Sequence, residues 1–190
     1  ACTPTRLKRA MRRLGILGHT FVNWAGGLDF VRTVAAGLRA TEEPMELHLL
    51  LPVEGPLLHT RTRLRALRDG LLRKKATPQP GIEAIEAAVA SFGPGITVHR
   101  IDIGQQSLAR QVARLQLQAL IPALKPLPAS CRTPWVGYVW DFQHRHLPQL
   151  FTPRNIARRD RQFRAMLMRA PSVIVNSRAV ADDIRRFVPD

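Results

Sequence analysis

Short apolar runs alternate along this chain with stretches whose apolar residues recur every three or four positions, and that alternation leaves few folds open. Residues 14–18 (Leu-Gly-Ile-Leu-Gly) form an apolar run bounded by glycine, the signature of a buried strand. Leu28, Val31, Val34, Ala35 and Leu38 then repeat at helical spacing. Residues 47–51 read as a second strand ending at Pro52, and Ile96, Val98 and Ile101 as a third. Between them, residues 57–75 predict a basic amphipathic helix with Leu64, Leu67 and Leu71 on one face. Ile82, Ile85, Val89 and Phe92 predict a shorter helix, stopped by Gly93-Pro94-Gly95. Leu108, Val112, Leu115 and Ala119 predict a helix ending near Pro122, with a proline-rich connection over residues 122–134. Residues 135–139 and 172–175 supply a fourth and a fifth strand. Thr152 can cap a helix that has Pro153 in its first position. That helix turns Ile156, Phe163, Leu167 and Ala170 inward and Arg154, Arg158, Arg161 and Arg169 outward. Asn176 or Ser177 caps a last helix with Val180, Ile184 and Phe187 as its apolar stripe. Strands that are apolar throughout, separated by amphipathic helices, imply an α/β, Rossmann-like parallel sheet with helices on both faces.

The 190 residues, 45% of them hydrophobic, suffice for one domain. It is expected over residues 14–190, after a basic extension at 1–13. Two cysteines without CxxC spacing argue against a disulfide framework or a zinc knuckle and fit a reducing cytoplasm. No apolar run approaches the ~18 residues of a membrane span. Lys and Arg number 29 against 14 Asp and Glu, a formal charge of +15, which favours anionic partners and is silent on the fold. Part of that charge lies on residues 57–75, whose apolar stripe and seven basic residues suit an anionic membrane surface. A solvated helix packing its leucines on the sheet fits the same pattern.

In an open parallel sheet, ligands bind outside the carboxyl ends of the strands. Three connections qualify. The first, residues 19–27, ends in Gly26-Gly27 and opens a helix whose free N–H groups can face a phosphate or sugar oxygen; a plain tight turn explains it equally. The second, residues 141–148 (Asp-Phe-Gln-His-Arg-His-Leu-Pro), concentrates acid, base and hydrogen-bonding groups. His144 and His146 form an H-x-H pair, but no third or fourth metal ligand stands at short spacing, so contact with sugar hydroxyls or proton steering by Asp141 and His144 is the better use. A buried histidine that merely shapes the loop is the structural alternative. The third is Asn176-Ser177. The phosphate fingerprints G-x-G-x-x-G and G-x-x-x-x-G-K-[ST] and the elbow G-x-S-x-G are all missing, which disfavours dinucleotide enzymes, P-loop ATPases and serine hydrolases. Basic faces without interleaved aromatics argue against specific nucleic-acid recognition.

The segment 135–151 (WVGYVWDFQHRHLPQLF) resembles bacterial group 1 retaining glycosyltransferases, the family 4-like enzymes of GT-B fold, which carry a D-F-Q-H-x-H-L-P-x-x-F stretch at this place. The helix and strand that follow, ending in Asn176-Ser177, and the Gly26-Gly27 loop agree with it. The resemblance is strong over residues 134–189 and weak over 57–130. It implies two Rossmann-like domains facing a cleft, of which this chain carries the N-terminal, acceptor-side one; the donor-binding C-terminal domain, with its paired glutamates, is absent. It also implies a UDP- or GDP-sugar as co-substrate, a glycan or lipid-linked envelope precursor as acceptor, and neither cofactor nor metal in this chain. His144 would then lie beside the reacting sugar, with Asp141 positioning hydroxyls. Gly26 and Gly27 would face the donor phosphates, and Asn176, Ser177 and His146 would serve donor phosphate or acceptor binding. Cytoplasmic residence, peripheral at the inner face of the plasma membrane, is the expected location. The rival reading is a non-catalytic Rossmann-like module that binds sugar, nucleotide or polyanion. A donor domain in the same gene product, or one binding in trans, separates the two.

Overall fold

The computed structural model describes residues 11–21, 26–41, 43–52, 90, 92–101 and 105–188. They form a Rossmann-like α/β arrangement in which every paired strand is parallel to its neighbour. The chain divides between Ile103 and Gly104 into two compact units. No helix among the described residues is long and apolar enough to cross a membrane. The helices expected over 57–75 and 82–92 lie outside the described residues, apart from Ala90 and Phe92.

The first unit contains strands β1 (Arg12–Ile16), β2 (Met45–Pro52) and β3 (Ile96–Ile101), in the order β3-β2-β1, with helix α1 (Gly27–Arg39) between β1 and β2 in sequence. β1 starts at Arg12, within the stretch expected as an extension. β2 is central, so it must be apolar on both sides. Leu47, Leu49, Leu50 and Leu51 are all buried, and Leu49 lies level with Ile16 on one side and Val98 on the other. Gly26 begins α1 in the left-handed region (φ 79°), open to glycine at no steric cost. At the other end of α1, Arg39 donates hydrogen bonds to the Phe92 and Pro94 carbonyls, tying the helix to the approach to β3.

The second unit contains helix α2 (Gln105–Arg114), strands β4 (Ala119–Ala123), β5 (Trp135–Val139) and β6 (Ser172–Val175), and helices α3 (Gln143–His146), α4 (Pro153–Arg169) and α5 (Arg178–Phe187). The strands run in the order β4-β5-β6. β4 corrects the sequence reading twice over: the helix stops at Arg114 rather than near Pro122, and a strand stands inside the supposed proline-rich connection. The stop is a Schellman motif. Leu117 N donates to Val112 O (3.1 Å) and Gln116 N to Ala113 O (3.0 Å), while Gln116 takes φ 53°. Glycine usually fills that left-handed position, and a glutamine there gives no warning. Pro122 then hides the strand, because proline removes a ladder donor; the β4–β5 register shifts between Leu120 and Ala123.

α4 buries Phe163, as its periodicity predicts, and also Met166. Thr152 caps it, its side chain accepting from Asn155 N (3.3 Å) with Pro153 in the first turn. Gln162 and Arg169 hold the far side by donating to the Leu124 and Leu127 carbonyls. Close approach of α4 to β5 depends on Gly137. A β-carbon there would stand 2.5 Å from Met166 Sδ and 3.3 Å from the Ala170 β-carbon. Gly137→Ala is therefore expected to cost about 1–3 kcal/mol through overpacking, read as a lowered urea midpoint at unchanged slope. An unaltered midpoint would mean that α4 does not seat this tightly.

Candidate ligand site at the ends of β5 and β6

Val139 and Val175 are in register, so Asp141 and Asn176 emerge close to the adjacent carboxyl ends of β5 and β6. The polar connection expected after β5 is not an open loop. It winds into the single turn α3 and then a 3-10 turn, Pro148–Leu150. Each of its functional side chains is held by a charged partner. Asp141 Oδ1 accepts from Gln143 N (3.1 Å), starting the turn, and from Arg159 Nη1 of α4 (3.1 Å). Asp160, also on α4, accepts from His144 Nε2 (3.0 Å) and from Arg145 through Nε (2.9 Å) and Nη2 (2.7 Å). His146 Nε2 lies 2.8 and 2.9 Å from the two carboxylate oxygens of Asp183 on α5.

His144 is fully buried. The carboxylate of Asp160 accepts, so Nε2 carries the proton and Nδ1 is left with its lone pair. Among the described residues Nδ1 has no hydrogen-bond partner. It lies among aromatic rings: Phe142, Phe163 and Phe151 stand 5.8, 5.6 and 6.3 Å away, centroid to centroid. Burial pushes the His144 pKa below its ordinary value; Asp160 opposes that, and Arg159 and Arg145 add to it. The imidazole is thus a neutral strut. His146, by contrast, keeps 47% of its side chain exposed while resting against the Phe187 ring edge.

Asn176 is exposed and hydrogen-bonds the hydroxyl of buried Tyr138. Burial raises the Tyr138 pKa, and the Asp141 charge raises it further. Ser177, also exposed, spends its hydroxyl oxygen on capping α5 at Val180 N (3.3 Å). Asp141, His144, His146 and Asn176 therefore gather at one end of the second unit. Gly26 and Gly27 belong to the first unit, where a β-carbon on Gly26 would meet nothing within 4 Å among the described residues and Gly27 is buried at the start of α1.

Sequence reasoning missed the clamping groups Asp160, Asp183 and Arg159. Asp160 did leave a signal, as the one acid in the arginine-rich helix 153–169. The scattered histidines include a second buried one, His48, whose Nδ1 lies 2.9 Å from His99 Nε2 across β2 and β3. Burial lowers the His48 pKa, and Arg13 adds to that against the pull of Glu46. Among the described residues no group of three or more His, Cys, Asp or Glu side chains is placed to hold a metal ion. No family model, curated protein or solved structure matches the chain.

Both lowered histidines disfavour protonation in the folded state. Below about 6.5, their ordinary value, the unfolded chain binds more protons than the folded one. Their stabilising contribution is complete above that pH and is lost as pH falls through the window beneath it. The melting temperature is expected to drop between pH 7.5 and 5.5, and to drop less in His144→Gln. Equal drops in the two proteins would show that His144 does not titrate differently on unfolding.

Proposed function

We propose that this chain is the acceptor-side half of a glycosyltransferase, which moves a sugar from a UDP- or GDP-sugar to a glycan or lipid-linked envelope acceptor. The observation carrying this reading is the clamped turn after β5. Three carboxylates fix a short segment that offers Arg145, His146 and the rim of Asp141 to solvent at a strand's carboxyl end. Its sequence is the stretch that resembles the group 1 enzymes. Exposed Leu147 and Leu150 lie in the same segment. Hydrogen-bonding groups beside apolar ones suit a sugar ring, which presents hydroxyls at its edge and C–H groups on its faces.

In this reading the acceptor hydroxyl oxygen bonds to the anomeric carbon as the carbon–oxygen bond to the nucleotide diphosphate breaks. The proton leaves with the departing phosphate. Asp141 and His146 orient hydroxyls. His144, having no exposed surface, acts by holding the turn in place. Asn176 borders the same site. Ser177, with its oxygen engaged at the cap, acts through backbone position. Gly26 and Gly27 offer backbone N–H groups to the donor phosphates once a donor-binding domain closes on this one, whether that domain lies in the same gene product or binds in trans. Such transfer uses no metal or cofactor from this chain.

The test is transfer from labelled UDP- and GDP-sugars by the complete gene product. His146→Ala and Asp141→Asn are each expected to lower kcat/KM by roughly a hundredfold, the scale of losing one preorganised polar contact, with little change in melting temperature. His144→Ala is expected to lower both turnover and stability. Transfer unaffected by His146→Ala and Asp141→Asn would remove the site from the reaction. No transfer from any nucleotide-sugar would favour a non-catalytic binding module.

A further inference from the structure

One face of α4 carries arginines that have no polar partner among the described residues. Arg154, Arg158, Arg161 and Arg164 are exposed, and none makes an ion pair or hydrogen bond among the described residues. At 100° per residue they fall within an arc of about 120°, together with Ala157, Ala165 and Met168. Met168 is 79% exposed. The helix's one acid, Asp160, turns away to His144 and Arg145. The other two arginines of the helix core and end are used: Arg159 pairs with Asp141, and Arg169 donates to Leu127 O. Four guanidinium groups therefore line a straight face about 15 Å long, from position 154 to 164 at ~1.5 Å per residue, with no compensating acid on it.

We propose that this face of α4 docks on an anionic lipid surface. The inference goes beyond sugar transfer and does not rest on it. Charge complementarity argues for an anionic partner, since unpaired guanidinium groups on a rigid helix meet phosphate oxygens without reorganisation. The residues between the arginines decide which partner. They are Ala157, Ala165 and Met168, small or apolar side chains that a headgroup layer accepts. The face has no aromatic ring on which a base could stack and no amide that could read a base edge. A flat strip of arginines framing an exposed thioether suits the plane of a bilayer better than a nucleic-acid groove.

The experiment uses the full 190-residue chain and vesicles of phosphatidylcholine containing about one-third phosphatidylglycerol, followed by co-sedimentation at low and physiological salt. Two variants of identical net charge are compared. One is Arg154→Glu/Arg158→Glu/Arg161→Glu. The other reverses three exposed arginines elsewhere that make no ion pair among the described residues, Arg114→Glu/Arg132→Glu/Arg178→Glu. The wild type is expected to bind, with binding weakened by salt and negligible on pure phosphatidylcholine. The α4 variant is expected to lose roughly a hundredfold in affinity, and the control several-fold at most. Should the α4 variant melt early, the neutral Arg154→Gln/Arg158→Gln/Arg161→Gln serves instead, with an expected loss of at least tenfold. No vesicle binding by the wild type, equal losses in the two variants, or binding to a random 20-base-pair duplex in place of vesicles would each overturn the proposal. Activity of the complete gene product toward a soluble acceptor should be unchanged in the α4 variant, which separates this surface from the strand-end site.

Discussion

One carboxylate organises the second unit. Asp160 of α4 accepts hydrogen bonds from His144 Nε2 and from both Nε and Nη2 of Arg145, fastening the turn that leaves β5 to the helix packed beneath it. The arrangement works because the two partners differ in kind. Arg145 is partly exposed and brings a permanent positive charge, so Asp160 remains a strong acceptor. His144 is buried and neutral, so it can donate without carrying a charge into the interior. Remove the carboxylate and the turn loses its hold on α4 at two successive residues.

Phe163 lets this polar clamp sit over an apolar core. Its ring is wholly buried and meets Trp140 edge-on at 5.2 Å, Phe142 at 5.0 Å and His144 at 5.6 Å. Three alternate residues of the chain after β5 thus rest by ring contact on one side chain of α4. Arg159 closes the other side, with its guanidinium over Trp140 and Phe151 while it pairs with Asp141. The exposed groups His146, Arg145 and Leu150 therefore project from a rigid base rather than from a slack loop. Binding groups held in this way lose little conformational freedom when a ligand arrives.

Much of this was legible in the sequence. The strands read from Ile96, Val98 and Ile101 and at 135–139 and 172–175 coincide with β3, β5 and β6, because their flanking glycine, proline and polar residues mark the ends. α1, α4 and α5 followed from periodicity and from the Thr152-Pro153 and Ser177 caps. β4 did not, because glutamine occupies its left-handed entry turn and proline sits inside the strand. The concentration of polar groups at 141–148 was plain, and so was its position after a strand. Its partners were not. Asp160 and Asp183 lie 16 and 37 residues away from the histidines they hold, and only the fold brings α4 and α5 to them. Nor does a run of Gln-His-Arg-His tell which imidazole is buried and which faces solvent.

Sugar binding at the clamped turn, as proposed, is tested most directly by chemical-shift mapping on the 190-residue chain, with mono- and disaccharides and the free nucleotides UDP and GDP as separate probes. Saturable shifts from saccharides are expected at Arg145, His146, Leu147 and Asn176, and none at those positions in His146→Ala. Shifts confined to other residues, or none from any saccharide at millimolar concentration, would contradict it.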